Sequence, residues 1–427
     1  MTAPRAPTAQ SPTDPYASLR VPDFRRFIGF LAAQTLATMM QTVAVGWQVY
    51  LVTHDPLALG IVGLAEALPF IAFALPAGHL ADRVDRRRLS LAALSVLVLC
   101  SATLFSVTRL ALVRPGTAWI IYGVIFVSGI ARSYLQPTRT ALSADLVPRE
   151  LYANSITWRS SVWQSAAVVG PALGGIAVAI GGPAFAYGLA ALLLATAWGA
   201  LFRVGPHPHP HGNVPAATLP EFLMGVRFLL TQPVLLGAQL LDLFSVLFAG
   251  AEALLPIFAT DILHVGATGL GVLRAAPAAG SVLMSVYQAY RPLVRRMGRV
   301  MLVSVTLYGL CISAFGVSRS FALSVALLLF SGVFDNVSVV LRSTLLQTLT
   351  PRHLLGRVAA VNAIFIGSSN EIGGFESGVA ARILGAVPAV VLGGFVPIVV
   401  VTSIAGLIPQ LRRLDRIADH APASDTR

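Results

Sequence analysis

The sequence predicts an all-α membrane protein of twelve transmembrane helices, arranged as two pseudo-symmetric six-helix bundles. Three observations predict it. Of the 427 residues, 56% are hydrophobic and only 11% charged, and mean hydropathy is +0.77, whereas water-soluble domains carry roughly 25% charged residues. Apolar stretches of about 20 residues recur almost end to end, the length that crosses a ~30 Å hydrocarbon core at 1.5 Å per residue. Finally, Leu146-Val147-Pro148-Arg149-Glu150-Leu151 is paralleled 203 residues later by Leu349-Thr350-Pro351-Arg352-His353-Leu354, the kind of parallel repeat that builds carriers holding a solute between two halves.

Taken in order, the helices fall near 25–49, 57–80, 89–109, 117–139, 155–181, 183–203, 233–260, 267–290, 299–315, 321–349, 358–384 and 387–409. Gly181-Gly182-Pro183 is the turn signal that divides the fifth from the sixth. Residues 1–24, rich in Pro, Ala, Thr and Arg, read as a disordered cytoplasmic tail, and 25–203 as the N-terminal six-helix bundle. The longest connection, 204–232, is the domain boundary; 233–410 form the C-terminal bundle and 411–427 a second cytoplasmic tail. In that connection His207, His209 and His211 alternate with prolines, which hold a segment extended and exposed, so it reads as a linker rather than a metal site. Residues 220–230 resemble a short amphipathic helix on the membrane surface.

The net charge is +12, and all thirty basic residues are arginine. In a soluble protein this would suggest nucleic acid. Here the arginines gather in alternate loops, Arg83, Arg86, Arg87 and Arg88 among them, while the other set holds few. Positive loops stay on the cytoplasmic side, which places both termini in the cytoplasm of a multi-pass protein of the bacterial inner (cytoplasmic) membrane. The two cysteines, Cys100 and Cys311, lie in separate apolar stretches, so no disulfide framework is expected. No phosphate-cradling loop, metal-ligand spacing or nucleophile-base-acid set appears. The expectation is a monomer that is not an enzyme, with no cofactor, metal or nucleic acid, whose partners are the bilayer, a small-molecule substrate and protons.

An ionised side chain at membrane depth costs about 2.5 to 3.5 kcal/mol even on the lenient insertion scale, so such residues face a cavity or a partner. Asp242, Asp335 and Glu371 lie nearest the midplane of their spans and are candidates for proton coupling, since loss of water favours the protonated carboxyl; a fixed ion pair, such as Asp335 with Arg342 on one helix, is the competing reading. Glu252, Arg274 and Glu376 fall in the outer half and suggest structural pairing. Glu66, Arg132, Arg159 and Arg342 are candidates for the cavity, with Arg132 and Arg159 placed either to attract an anionic solute or to snorkel to the interface. Gln34, Gln41 and Gln48 recur every seven residues and share one face, which either lines the cavity together with Trp163 and Gln164 or bonds neighbouring helices.

Gly78-His79-Leu80-Ala81-Asp82-Arg83-Val84-Asp85-Arg86-Arg87-Arg88, between the second and third helices, resembles the signature loop of the major facilitator superfamily. Gly170-Pro171-Ala172-Leu173-Gly174-Gly175 resembles the antiporter motif of its drug exporters. Arg132-Ser133-Tyr134-Leu135-Gln136-Pro137 and Gly373-Gly374-Phe375-Glu376-Ser377-Gly378 look like the enterobactin-exporter-like branch, within the drug:proton antiporters. The resemblance implies the major facilitator fold, a gating loop at Gly78, Asp82 and Arg83 in which Asp82 makes a charge relay, and a proton-driven secondary exporter of siderophores or amphipathic drugs. An importer, a uniporter or a lipid flippase on the same fold, and a non-transporting membrane sensor, are the alternatives.

Overall fold

The computed structural model describes residues 14–206, 219–291, 296–351 and 354–414. Its first half consists of α1 Pro22–Thr53, α2 Pro56–Arg83, α3 Arg86–Arg109, α4 Trp119–Asp145 and α5 Tyr152–Phe202. The second holds α6 Leu219–Thr231, α7 Pro233–Phe248, α8 Ala251–Ile257, α9 Gly266–Tyr290, α10 Met297–Val317, α11 Phe321–Leu349, α12 Leu355–Leu384, α13 Ala386–Leu407 and α14 Pro409–Arg413. Boundaries follow local chemistry. Pro22, Pro56 and Pro233 open their helices where no amide donor is needed. Asp55 and Asp85 cap α2 and α3 by accepting from the backbone amides of Leu57, at 2.9 Å, and Arg88, at 3.0 Å.

Among the described residues, ten segments are long and apolar enough to cross a membrane. One of them contains α5, whose 51 residues would reach roughly 75 Å if straight, over twice a hydrocarbon core. It turns back where expected, at Gly181 and at Gly182 with φ 72°, a conformation that only glycine adopts cheaply. α12, 30 residues long, is not among the ten.

Four expectations are corrected. The seventh span is not one helix: it breaks at Ala249 and Gly250 and closes with a π turn over Phe258–Ile262. Gly250 sits against α12, where a Cβ would lie 3.1 Å from the Gly373 carbonyl oxygen, so the break brings the backbone close to α12. Residues 14–24 are not a loose tail. Asn154 and Trp158 donate to the Pro15 carbonyl at 2.8 and 3.0 Å, Tyr16 lies against Trp158, and Ser18 is buried against Asn154. Residues 411–414 are likewise packed, through buried Leu411 and Leu414. The fourth helix runs on to Asp145, six residues past its expected end. Within 220–230 the expected helix forms, with Gly225 and Leu229 buried against α12 and the C-terminal core. The three histidines of the 204–232 connection lie outside the described residues.

The core tells the two ends of the molecule apart. At the end far from the termini, the distal end, one apolar cluster spans both halves, joining Tyr50 and Leu59 to Leu254, Phe258 and Leu270. At the terminal end it splits into two clusters. Phe24, Phe27, Leu94 and Leu201 belong to one half only, and Leu235, Met301, Leu345 and Val358 to the other only.

Candidate functional site

The halves meet along two seams built on glycine. On α5, Gly170 and Gly174 face Met39 and Met40 of α1, while Gly175 faces the other half: a Cβ there would stand 2.5 Å from the Ala267 carbonyl oxygen of α9. Gly271 answers it, pressed on the Pro171 carbonyl at 2.6 Å by the same measure. The antiporter-like motif is therefore the place where α5 touches both its own bundle and the opposite one. The second seam pairs Gly60 of α2 with Gly378 of α12, where an added Cβ would sit 2.8 Å from the Gly60 Cα. Small residues let backbones approach this closely where lipid gives no hydrophobic drive. Polar links between the halves lie at the distal end: the Tyr50 hydroxyl donates to Asp261, and Arg382 pairs with Asp55 at 3.3 Å.

In the C-terminal half, Arg342 of α11 forms an ion pair with Asp242 of α7, their side chains 5% and 11% exposed. Asp335, two turns before Arg342, shares the electrostatic surroundings of Asp242, Arg342 and Glu252. Tyr308 of α10 faces the same three acids and points its hydroxyl to the Ala249 carbonyl, 3.5 Å away at the helix break. One turn from Asp242, Gln239 donates to Asn362 of α12 at 2.6 Å. Three carboxylates, Asp242, Asp335 and Glu252, thus lie in the electrostatic reach of one guanidinium, Arg342, which pairs with Asp242 alone. The expectation of Arg342 paired with Asp335 gives way to Arg342 with Asp242, because α7 packs across α11. The Glu371 side chain lies outside what is described.

In the N-terminal half Glu66 of α2 pairs with Arg132 of α4. The glutamine stripe does not face the space between the halves. Gln41 accepts from Ser101 at 2.5 Å, Gln48 from Tyr187 at 2.8 Å and from Thr108 at 3.2 Å, and Gln34 from Arg139 at 3.1 Å. All three glutamines are buried, so they tie α1 to α3, α4 and the second limb of α5 and are not cavity residues. Arg159 donates to Ser143 at 2.7 Å, Gln164 to Ser160 at 3.3 Å, and Trp163 is half exposed. The outer set is also corrected. Glu252, Arg274 and Glu376 form no ion pair with one another among the described residues, because the break at Ala249 and Gly250 places Glu252 beside Asp335 and Tyr308 instead. At the gating loop, Gly78 is half-buried and Arg83 exposed; the Asp82 side chain lies outside what is described.

Sequence reasoning missed Tyr308, Gln239, Asn362, Tyr50, Asp261 and Arg139. A signal for Arg139 was present: the 203-residue repeat that aligns Leu146 with Leu349 also aligns Arg139 with Arg342, and Arg132 with Asp335.

Two helical halves of apolar spans, sharing one core at one end and keeping separate cores at the other, have the architecture of a multi-pass membrane transporter of the major facilitator type. The chain belongs to the transmembrane secretion effector family, which it matches over residues 13–425. Its fold is shared with a bacterial homologue of the human lysosomal transporter Spinster in an inward-facing, unoccupied conformation (TM-score 0.69, 14% identity, 94% of this chain and 99% of that one). It is also shared with the nucleoside transporter NupG (TM-score 0.64, 12% identity, 90% and 98%). Among sequence relatives, the enterobactin exporter EntS of Citrobacter koseri is 28% identical over 406 residues, 93% of this chain and 94% of the relative. The enterobactin exporter EntS of Escherichia coli O1:K1 / APEC is 28% identical over 407 residues, 94% of each.

Proposed function

We propose that the chain exports a small amphipathic molecule, siderophore-like or drug-like, by alternating access between its two halves, in exchange for protons. Both termini lie in the cytoplasm on this reading, and the distal end faces outward. The observation that carries it is the core, continuous across the halves distally and split into two at the terminal end. A rocking carrier held shut on the outside and parted on the inside has this arrangement. The near full-length likeness to enterobactin exporters supports the direction of transport.

Asp335 is the proton carrier in this scheme. Asp242 is neutralised by Arg342, which leaves Asp335 as the acid without its own counter-charge. On this reading it loads a proton from the outer side and releases it once water reaches it from the cytoplasmic side. Asp242 and Arg342 hold the local field, and exchange of Arg342 between the two carboxylates links protonation to helix position. Asp82 and Arg83 act at the cytoplasmic loop that must close when the terminal end shuts.

Proteoliposomes test the reading. An imposed pH gradient drives accumulation of an amphipathic dye such as ethidium, or of a catecholate siderophore, in wild-type vesicles, and Asp335→Asn removes the gradient dependence while exchange without a gradient persists. Gradient-independent flux in wild type, or full gradient-driven accumulation by Asp335→Asn, overturns proton coupling through this acid.

A further inference from the structure

We propose that Arg139 and Arg159, held in place by Gln34 and Ser143, form a docking site for the carboxylate of an organic acid. The proposal rests on the transport reading and deepens it by assigning the charge of a solute the carrier accepts.

The inference begins with internal symmetry. The offset that superposes the two repeats sets Arg139 on α4 against Arg342 on α11, and the structure gives both the same kind of neighbour, a side chain from the first membrane-crossing segment of the half. In the C-terminal half that neighbour is Asp242, an acid that closes an ion pair. In the N-terminal half it is Gln34, whose amide oxygen accepts from Arg139 at 3.1 Å and brings no charge. An arginine stays protonated at any working pH, so the positive charge that Asp242 cancels in one half stands uncancelled in the other.

A second guanidinium makes the imbalance larger. Arg159 on α5 is the charged neighbour of Arg139, and its own bond runs to the Ser143 hydroxyl at 2.7 Å. Among the described residues, neither arginine has a carboxylate within ion-pair distance, and the Nε of Arg139 is buried with no hydrogen-bond partner. Two like charges inside a helical bundle repel each other and bear a desolvation cost. A fork of guanidinium donors matches the two oxygens of a carboxylate, and an incoming acid supplies the charge that this half lacks.

Position agrees with that role. Arg139 and Arg159 lie in the terminal-end part of α4 and α5, where the two halves have separate cores. Trp163 follows Arg159 by one turn on α5 and is 51% exposed, giving an apolar face beside the charged fork. The ligand class is an acid with a flat apolar body.

The test uses full-length protein in nanodiscs, with 1-naphthoate and its uncharged isostere 1-naphthamide as probes. Wild type is expected to bind the acid at least tenfold more tightly than the amide. Arg139→Gln and Arg159→Gln are each expected to lose that preference while binding the amide as before, which shows the fold intact. Arg149→Gln, an exposed loop arginine, should keep it. Equal binding of the two probes by wild type, no binding of either, or an undiminished preference in the Arg139→Gln/Arg159→Gln double variant overturns the proposal. The two readings fail separately: gradient-driven dye flux without acid preference removes the anion site and leaves the transporter, whereas acid preference without any flux removes the transporter and leaves the site.

Discussion

Arg342 and Asp242 face each other from α11 and α7 as an ion pair almost wholly removed from solvent. Removing one partner of such a pair leaves a bare charge and costs about 3 to 5 kcal/mol, whereas removing both is often neutral. Asp242→Asn is therefore expected to lower the melting temperature of the detergent-purified protein by several degrees, and Asp242→Asn/Arg342→Gln to recover most of the loss while leaving gradient-driven flux absent. A single variant as stable as wild type shows that the pair bears no structural load.

The distal closure is held by Tyr50 with Asp261 and by Arg382 with Asp55. In a background with Cys100 and Cys311 replaced by serine, a cysteine at Ala58, buried beside this closure, reports its opening. Tyr50→Phe and Arg382→Gln are each expected to raise the labelling rate by a membrane-impermeant maleimide in whole cells about 1.5- to fivefold, as a few tenths to ~1 kcal/mol of closed-state preference is lost. An unchanged rate in the double variant removes these contacts as a latch, and labelling only in inside-out vesicles reverses the proposed orientation.

Much of the fold could be read from the chain, and less of the site. The repeat around Leu146 and Leu349, the turn at Gly182 and the glycine motif at 170–175 are local signals, and each falls where the structure uses it. The break at Ala249 was not legible, because the surface it packs on, around Gly373, is more than a hundred residues away in the chain. Heptad spacing showed that Gln34, Gln41 and Gln48 share a face. It carried no information on what that face meets, and three helices of the same bundle meet it. Arg139 stands at the expected end of the fourth span, 117–139, whereas the helix runs six residues further, so composition and span length did not mark its charge as lying inside a helix.

That correction about the glutamines gives a prediction of its own. Gln48 takes hydrogen bonds from Thr108 and from the fully buried hydroxyl of Tyr187. Gln48→Leu strands that hydroxyl, and an unsatisfied buried group costs about 1 to 3 kcal/mol. Thermal unfolding should show the loss, and adding Tyr187→Phe should restore part of it. Substrate affinity in the folded fraction is expected to stay within twofold of wild type; a larger change with no loss of stability would return Gln48 to the cavity.

Gly175 tests whether the α5–α9 seam is a moving surface or a fixed one. An alanine Cβ there meets the Ala267 carbonyl at 2.5 Å and the Gly271 Cα at 2.9 Å, closer than any atom pair tolerates, so α5 and α9 must separate at the distal end. Overpacking of this kind costs about 1 to 3 kcal/mol, and it falls only on the state in which the seam is shut. If the halves rock, Gly175→Ala shifts the population toward the distally open form: the Ala58 cysteine labels faster from outside, and transport slows because the return step is disfavoured. If the seam never opens, the same strain lowers the melting temperature with no gain in labelling. Gly123→Ala, at a glycine of α4 with open space around its Cβ, is the matched control and should change neither measurement.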